Sequence, residues 1–230
     1  MSMMAAAGSR AASAGAWALL LLSSVWAVQQ DRRPTPLAEL EKSWVMAHLD
    51  VETTGLIAGH HEVVDLGIVY TTVDGEIIDR WYRRIQPRHP ERTSPEAVTI
   101  NGFEPLVWRK LGALDPADAV KSLLEFERSR FGARRVVRVA YNSKFDAAFL
   151  DQLLRGQGAA FDQPYQSYYW LDVPSMAWIM GYRSLEHADL GEQLGVEAKS
   201  RVPLEHTGLG CAEYNVRVYR ALLDRQRSAR

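Results

Sequence analysis

Two carboxylates, Asp50 and Glu52, lie two residues apart in the run HLDVETTGL (residues 48–56). The apolar stretch from Trp44 to Glu52 is typical of a buried strand, and alternate residues of a strand point to the same face. Two carboxylates on one face repel each other unless a cation lies between them, and a divalent ion such as Mg²⁺ prefers oxygen ligands. The spacing is compatible with a metal-binding strand end, but taken alone it is more typical of a polar strand end that leads into a turn.

A histidine and the only cysteine of the chain lie close together in EHTGLGCAEY (residues 205–214). One cysteine cannot form an intramolecular disulfide bond, and it excludes a zinc site of the CxxC type. A catalytic thiol at Cys211 is disfavoured, because no other His-Asp pair is arranged around it. His206 is a candidate for proton transfer, since histidine titrates near neutral pH. His60 and His61 are expected to be exposed to solvent.

The elements that position these residues follow from the hydrophobic pattern. Runs rich in β-branched and aromatic residues predict strands at 44–52, 63–73, 76–85, 135–141 and 169–173. Asp74-Gly75 predicts a tight hairpin with two central residues at positive φ. Helical spacing and N-cap signals predict helices from Ser94-Pro95 onward and at 115–132, 144–154, 174–180, 188–194 and 210–223. Three strands followed by alternating helices and strands indicate a mixed α/β domain.

The charge balance restricts the classes of binding partner. The chain has 230 residues, is 47% hydrophobic and 24% charged, and carries a formal net charge of −1. This composition is that of a globular domain with a substantial core. It excludes a protein that holds nucleic acid by overall positive charge. The Arg-rich stretches at 80–84 and 128–138 are expected to be solvated ends of strands and helices.

The N-terminal segment differs in composition from the rest. Residues 1–30 contain no Asp or Glu and a single Arg, and residues 16–28 form an apolar run. With the small-residue pattern at 25–27, these features predict a signal peptide at 1–27, then a linker at 28–43, a folded domain at 44–225 and a tail at 226–230. We therefore expect a secreted or periplasmic protein with no stable membrane partner; an uncleaved membrane anchor and a cytoplasmic location are the alternatives.

Two segments resemble motifs of the DEDD superfamily of 3′-to-5′ exonucleases. DVETTGL (residues 50–56) resembles the first motif of that family. AYNSKFDAAFL (residues 140–150) resembles the second, with Asn142, Phe145 and Asp146 at the matching positions. An Asp on a helix is ordinarily a solvated surface group. Asp146, however, lies in a second motif that follows the first in the order found in the family, which favours a role in the site.

Further segments resemble the same family in the same order. WLDVPSMA (residues 170–177) resembles the strand and helix that follow the second motif, with Asp172 at an acidic position. INGF (residues 100–103) resembles a short HGI element, with Asn101 where histidine is common. The resemblance extends from about Val45 to Leu222. It implies an α/β, ribonuclease H-like fold with a mixed five-stranded sheet flanked by helices.

The third motif of the family has the form HxxxxD at the start of the final helix. CAEYNVRVY (residues 211–219) is similar to the family's helix without a gap, which aligns His206 with the general base and Cys211 with the metal-binding aspartate. His206 is typical of the DEDDh branch. His187 and Glu192 have a similar spacing, but their segment resembles the helix that precedes the third motif.

The resemblance implies hydrolysis of the 3′-terminal phosphodiester with release of a nucleoside monophosphate. It implies two Mg²⁺ (or Mn²⁺) ions about 4 Å apart, bound by Asp50, Glu52 and Asp146, with His206 accepting a proton from water. The expected partners are 3′ ends of single-stranded DNA or RNA. The motifs do not decide between DNA and RNA.

The residues that follow the first motif and those of the second are implied to bind substrate. By resemblance, Thr53 and Thr54 hydrogen-bond the terminal nucleotide, Leu56 wedges against its base, and Asn142 and Phe145 belong to the same binding site. Stacking on apolar or aromatic groups tolerates any base, so little base specificity is implied.

Cysteine is a soft ligand and a poor replacement for carboxylate oxygen on Mg²⁺. The metal site can persist with its other carboxylates and altered activity, or a nearby side chain can substitute for the missing one. Glu213 is badly aimed for that role, while Asn215 lies on the right helix face but is neutral. The third alternative is a pseudoenzyme that binds nucleic acid ends without cutting them. The retained His206 favours altered catalysis.

Overall fold

One mixed sheet of five strands organises the computed structural model of the chain, which describes residues 37–158, 169–197 and 202–229. The strands are β1 (Trp44–Thr53), β2 (Val63–Thr71), β3 (Ile77–Arg84), β4 (Arg135–Ala140) and β5 (Trp170–Asp172). Their order is β3-β2-β1-β4-β5. β2 is antiparallel to both of its neighbours, β1 and β3, whereas β4 and β5 run parallel to β1. The predicted mixed five-stranded sheet is confirmed.

Helices cover both faces of the sheet. They are α1 (Leu37–Ser43), α2 (Pro95–Asn101), α3 (Pro105–Lys110), α4 (Pro116–Phe131), α5 (Ser143–Gly156), α6 (Val173–Ile179), α7 (His187–Leu194) and α8 (Gly208–Ser228), with a short 3₁₀ turn at Pro90–Arg92. The predicted caps are present, because Ser94 accepts a hydrogen bond from the Ala97 N–H and Asp115 accepts one from the Ala117 N–H. Within the described ranges no helix is long and apolar enough to cross a membrane.

Three helical segments differ from the sequence prediction. Residues 37–43 were predicted to be part of the linker, but they form α1, whose Leu40 packs against a core cluster. α3 was not predicted, because six residues are too few to show helical periodicity; Glu104 caps it by accepting from the Leu106 and Val107 N–H groups. α8 extends to Ser228, beyond the predicted domain end at residue 225. Residues 1–27, the predicted signal peptide, lie outside the described residues.

The hairpin between β2 and β3 is looser than Asp74-Gly75 predicted. The strand register ends with Thr71 opposite Ile77, so five residues form the loop. The Thr72 N–H donates to the Glu76 carbonyl, and among the loop residues only Gly75 has a positive φ, of 86°. A two-residue turn with both residues at positive φ is therefore wrong here.

Side-chain alternation along β1 divides the core into two layers. Odd-numbered residues pack against α4 and α5, in a cluster with Val120, Leu123 and Phe149. Even-numbered residues face α8: Met46 shares a cluster with Val218 on that helix. Asp50 and Glu52 continue the even-numbered series, so the backbone of β1 directs both carboxylates toward α8.

A buried ion pair ties α4 to β4. The Arg138 guanidinium donates two hydrogen bonds to the Glu127 carboxylate, at 2.5 and 2.8 Å, and the Tyr70 hydroxyl donates a third at 2.8 Å. Arg138 is 2% exposed and Glu127 is fully buried. The expectation that the run 128–138 is solvated is wrong at Arg138, because a carboxylate from the preceding helix compensates its charge inside the core.

His48 is a second buried polar group, on the β1 face that packs against α8. Its ring is fully buried, Nε2 lies 3.2 Å from the Thr71 hydroxyl, and the ring of Tyr219 lies edge-on at 5.0 Å. Burial lowers the pKa of His48 to about 3, because the charged imidazolium loses its hydration there.

This shift predicts a loss of stability in acid. Above about pH 6.5 His48 is neutral in both the folded and the unfolded chain, so it contributes no pH dependence. Between about pH 6.5 and pH 3 only the unfolded chain takes up the proton, so the free energy of unfolding falls by up to about 1.4 kcal/mol per pH unit as the pH falls. His48→Gln lacks this contribution, and urea unfolding at pH 7 and pH 5 should therefore show a smaller loss for the variant.

The exposed His60 provides the matched control, since His60→Gln should lose stability in parallel with the wild type. If His48→Gln lost as much free energy of unfolding between pH 7 and pH 5 as the wild type, His48 would not be neutral and buried in the folded protein.

Candidate active site

The candidate site lies where the parallel strands end. β1, β4 and β5 terminate at the same edge of the sheet, which is where polar groups of α/β folds gather. β1 carries Asp50 and Glu52 at this end. α5 follows β4 with Asp146 in its first turn. Asp172 ends β5 and caps two helices, because its carboxylate accepts from the Ser143 N–H of α5 and from the Ser175 N–H of α6.

The three predicted metal-binding carboxylates form one electrostatic group. Asp146 is 2% exposed, and its Oδ1 accepts a hydrogen bond of 3.1 Å from the Val51 N–H at the end of β1. Burial raises the pKa of Asp146 well above its usual value, and the charges of Asp50 and Glu52 raise it further. A buried carboxylate whose pKa is raised by neighbouring carboxylates favours a proton or a cation beside it.

His206 and Cys211 approach the same group from α8. His206 Nε2 lies 3.2 Å from Glu52 Oε1 and 3.7 Å from Cys211 Sγ, and Sγ lies 4.0 Å from the same Glu52 oxygen. Thr207 caps the helix between them by accepting from the Gly210 N–H. The structure therefore brings His206 and Cys211 together with Glu52, as the spacing of the third motif implied.

Two glycines allow α8 to reach the sheet. Gly67 on β2 pairs with Asp50, and a Cβ atom at Gly67 would lie 2.0 Å from the backbone nitrogen of Leu209. A Cβ atom at Gly208 would lie 2.4 Å from the Asp50 carbonyl oxygen. The backbone of α8 therefore contacts the backbone of the sheet directly, with no side chain between them. This contact fixes the start of α8 beside the carboxylates.

Asp65 strengthens this contact, and the sequence analysis missed it. Its carboxylate accepts hydrogen bonds from the Gly208 N–H at 2.8 Å and from the Tyr82 hydroxyl at 2.5 Å. Burial raises the pKa of Asp65 to about 7, and the charge of Glu52 adds to that rise. The available signal was a single carboxylate inside the apolar run VVDLGIVY, where an unpaired charge would be costly.

The loop after β1 is held by a histidine that was expected to be exposed. His61 is 9% exposed, and its Nδ1 accepts a hydrogen bond of 3.1 Å from the Ile57 N–H. A Cβ atom at Gly55 would lie 2.5 Å from the His61 ring. The expectation is wrong for His61, because the loop folds back over the ring, whereas His60 is exposed.

A cleft of about 420 Å³ opens beside Glu52. Leu56, with 80% of its surface exposed, lines it with Ile100 and Phe145. The buried Asn101 supports the cleft, because its amide donates to the Thr53 carbonyl and its Oδ1 accepts from the Phe103 N–H.

The hydroxyl groups of Thr53 and Thr54, which were implied to bind substrate, form hydrogen bonds within the protein. The Thr53 hydroxyl donates to the Gly55 carbonyl at 2.7 Å, and the fully buried Thr54 hydroxyl accepts from the Glu62 N–H at 2.9 Å. Thr53 also lines the cleft. Their geometry shows that both residues shape the loop, and a nucleotide contact by the fully buried Thr54 hydroxyl requires the loop to move.

Asn142 lies apart from these residues. It lines a different cleft of about 840 Å³, together with Trp178 and His187. Its backbone is left-handed, with φ of 61°. His187 stacks on Tyr141 with ring centroids 3.9 Å apart, so this rival histidine belongs to the second cleft while His206 adjoins Glu52.

Comparisons with known proteins agree with this geometry. No protein-family model matches the chain. The chain is 28% identical over 140 residues to ribonuclease T of Haemophilus ducreyi, an alignment that covers 57% of this chain and 64% of that protein. The chain therefore spans less than two thirds of the length of this curated relative.

Solved structures share the fold. The zinc-bound form of the E. coli exonuclease I complex with single-stranded DNA has a TM-score of 0.64 at 15% identity, covering 80% of this chain and 41% of that one. The nuclease domain of 3′hExo, described as a DEDDh family member bound to rAMP, has a TM-score of 0.64 at 16% identity, covering 78% and 92%. The chain shares the fold of these exonucleases. Its ribonuclease H-like fold is the one that the motifs implied.

Neither of the α8 side chains that the sequence offered as a substitute places a carboxylate beside Cys211. Glu213 pairs with Arg80 at 2.7 Å on the partly exposed side of the helix. Asn215 is fully buried one turn beyond Cys211, with its amide nitrogen 3.5 Å from the Leu49 carbonyl. Of the two, only Asn215 faces the strand, and it is neutral.

The donor set fits Mg²⁺ at one side of the site and not at the other. Asp50, Glu52 and Asp146 offer carboxylate oxygens, which suit a hard divalent ion. On the α8 side Glu52 is accompanied by an imidazole nitrogen and a thiol sulfur. Those donors do not suit Mg²⁺, which binds oxygen in a strict octahedral arrangement.

The contact between α8 and the sheet predicts unequal effects of two glycine substitutions. Gly208→Ala should lower the free energy of unfolding by about 1 to 3 kcal/mol, because its Cβ atom collides with the Asp50 carbonyl. Gly210→Ala is the matched control, since its Cβ atom would meet only the Thr207 hydroxyl at 3.5 Å. That variant should be unchanged or more stable by roughly 0.5 to 1 kcal/mol.

Urea unfolding of the two variants and the wild type measures the difference. Equal stability of Gly208→Ala and the wild type would contradict the close backbone contact between the start of α8 and the sheet.

Proposed function

We propose that this protein is a divalent-metal-dependent 3′-to-5′ exonuclease that hydrolyses the terminal phosphodiester of single-stranded nucleic acid, with activity altered by Cys211. The observation that carries the proposal is the 3.2 Å approach of His206 Nε2 to Glu52 Oε1, beside the buried Asp146. A carboxylate group and an imidazole thus meet at one point, which supplies both cation binding and a proton acceptor.

His206 is suited to take a proton from water. Its side chain is 14% exposed, so water can reach the ring, and the neighbouring Glu52 carboxylate orients it. A carboxylate beside an imidazole stabilises the protonated ring that such a transfer creates.

The cleft next to Glu52 supports binding of a terminal nucleotide. Its volume of about 420 Å³ is in the range of small-molecule sites. The exposed Leu56 and the ring of Phe145 offer apolar surface to a base, and such stacking does not select a sequence. We propose Thr53 as the nearest polar contact. We assign Asn142 to the nucleotides on the 5′ side of the terminal one, because Asn142 lines the second cleft.

The relatives support this substrate class. E. coli exonuclease I has been crystallised with dA16 and dT13 oligonucleotides, and 3′hExo with rAMP. These ligands include DNA and a ribonucleotide, so we propose single-stranded 3′ ends of DNA or RNA as substrates. When bound, the divalent ions activate water and stabilise the leaving oxygen. Asp50, Glu52 and Asp146 would hold them.

We further propose that the protein acts outside the cytoplasm, on extracytoplasmic nucleic acid. The apolar, acid-free segment at residues 1–27 supports this location.

Hydrolysis can be tested with a 5′-labelled single-stranded RNA and the matching DNA, in Mg²⁺ or Mn²⁺. The wild type should shorten the labelled strand one nucleotide at a time from the 3′ end, and chelation of the metal should stop it. His206→Ala should lower the rate by about 10²-fold or more, because the proton acceptor is removed. Asp50→Asn should do the same through loss of metal binding.

His89→Ala is the control for loss of a histidine, since His89 is half-exposed and pairs with Glu91 away from the carboxylates. Binding of the labelled strand without metal-dependent shortening would identify the non-hydrolytic alternative and overturn the proposal.

Cys211→Asp should raise the Mg²⁺-dependent rate. The substitution restores an oxygen donor opposite Glu52, at the position where the third motif has aspartate. Initial rates at saturating Mg²⁺ measure the effect, with Cys211→Ser as the control that removes the sulfur without adding a charge. A rate for Cys211→Asp no higher than that of the wild type would mean that another group fills the role of the missing aspartate.

A further inference from the structure

The donor atoms of Glu52, His206 and Cys211 have the separations of a tetrahedral metal site. Zinc binds sulfur at about 2.3 Å and imidazole nitrogen or carboxylate oxygen at about 2.0 to 2.2 Å, which sets tetrahedral donors roughly 3.3 to 3.6 Å apart. The observed separations are 3.2 Å for nitrogen to oxygen, 3.7 Å for sulfur to nitrogen and 4.0 Å for sulfur to oxygen. Small side-chain rotations would bring all three within bonding distance of one ion.

The arrangement differs from that of a thiol activated by a histidine and an acid. In such a relay the thiol and the carboxylate bind opposite nitrogens of the imidazole. Here Cys211 Sγ and Glu52 Oε1 both approach Nε2 of His206. Three donor atoms that converge from three side chains indicate a common ligand between them.

The environment also suits an enclosed transition-metal site. Cys211 is 1% exposed, Glu52 is 7% exposed, and the His206 side chain retains 14% exposure as an entry path. The three residues are held by different constraints: Glu52 by the register of β1, and the other two by the start of α8. Sulfur and imidazole ligands favour Zn²⁺ over Mg²⁺.

We propose that Glu52, His206 and Cys211 bind one Zn²⁺ ion, with the fourth tetrahedral position taken by water or a substrate oxygen. This binding does not require the exonuclease activity. Its effect on hydrolysis rests on the proposed function: Nε2 of His206 cannot coordinate zinc and accept a proton at once, so the two states exclude each other.

Cobalt substitution tests the site directly in the full chain. Metal-free protein titrated with Co²⁺ should develop a sulfur-to-cobalt charge-transfer band and the visible bands of tetrahedral cobalt, which saturate at one equivalent. Cys211 is the only cysteine of the chain, so any sulfur band reports this site. One equivalent of Zn²⁺ should abolish the spectrum, whereas excess Mg²⁺ should not.

Substitution of the thiol separates this site from other metal binding. Cys211→Ser should lose the sulfur band and bind Zn²⁺ at least about 100-fold more weakly by calorimetry, since loss of even an outer contact to a metal ligand costs 10- to 100-fold. Cys211→Asp should lose the band, and its affinity for Zn²⁺ should exceed its affinity for Mg²⁺ by a smaller factor than in the wild type. His89→Ala should match the wild type in both measurements.

Absence of a sulfur band in the wild-type titration would overturn the proposal, and so would equal zinc affinity of the wild type and a folded Cys211→Ser. The wild-type spectrum decides the question even if a variant fails to fold. A protein that binds zinc but, in its zinc-free form with Mg²⁺ or Mn²⁺, does not shorten oligonucleotides would overturn the proposed function and leave the zinc site intact.

Discussion

The site depends on one close backbone contact, between Gly208 at the start of α8 and the strands β1 and β2. At Gly67 and Gly208 any Cβ atom would collide with the opposing backbone, so the helix start can meet the sheet only because both residues are glycine. The Asp65 carboxylate binds the Gly208 N–H and thereby adds a polar restraint to this apposition. His206 and Cys211 lie just before and just after the contact, so their distances to Glu52 follow from it.

Glu52 links two chemically different halves of the site. Toward α5 it contributes to the carboxylate group that raises the pKa of Asp146, and toward α8 it faces nitrogen and sulfur. Cys211 therefore determines the type of donor on one side, whereas the donors on the other side are carboxylate oxygens. If the site binds metal as we propose, the residue at position 211 controls which ion it prefers.

Local patterns predicted much of the fold, and long-range contacts account for most of what they missed. Alternation in β1 placed Asp50 and Glu52 on one face, and the spacing of the final helix brought His206 and Cys211 beside them. The burial of Arg138 and His61, by contrast, depends on partners distant in sequence or on a folded loop, and no local pattern encodes those. Asp65 was missed for the same reason, because its main partner Gly208 lies 143 residues away.

The order of the elements along the chain has a consequence for biosynthesis. α8 is translated after every strand of the sheet, yet it carries the cysteine, follows the histidine directly and covers β2 through Ala212 and Val216. On the ribosome, a nascent chain therefore holds the carboxylates of β1 and α5 without their imidazole and thiol partners. The three donor atoms of Glu52, His206 and Cys211 come together only when α8 has left the exit tunnel and docked, so the site stays incomplete until that helix has been made.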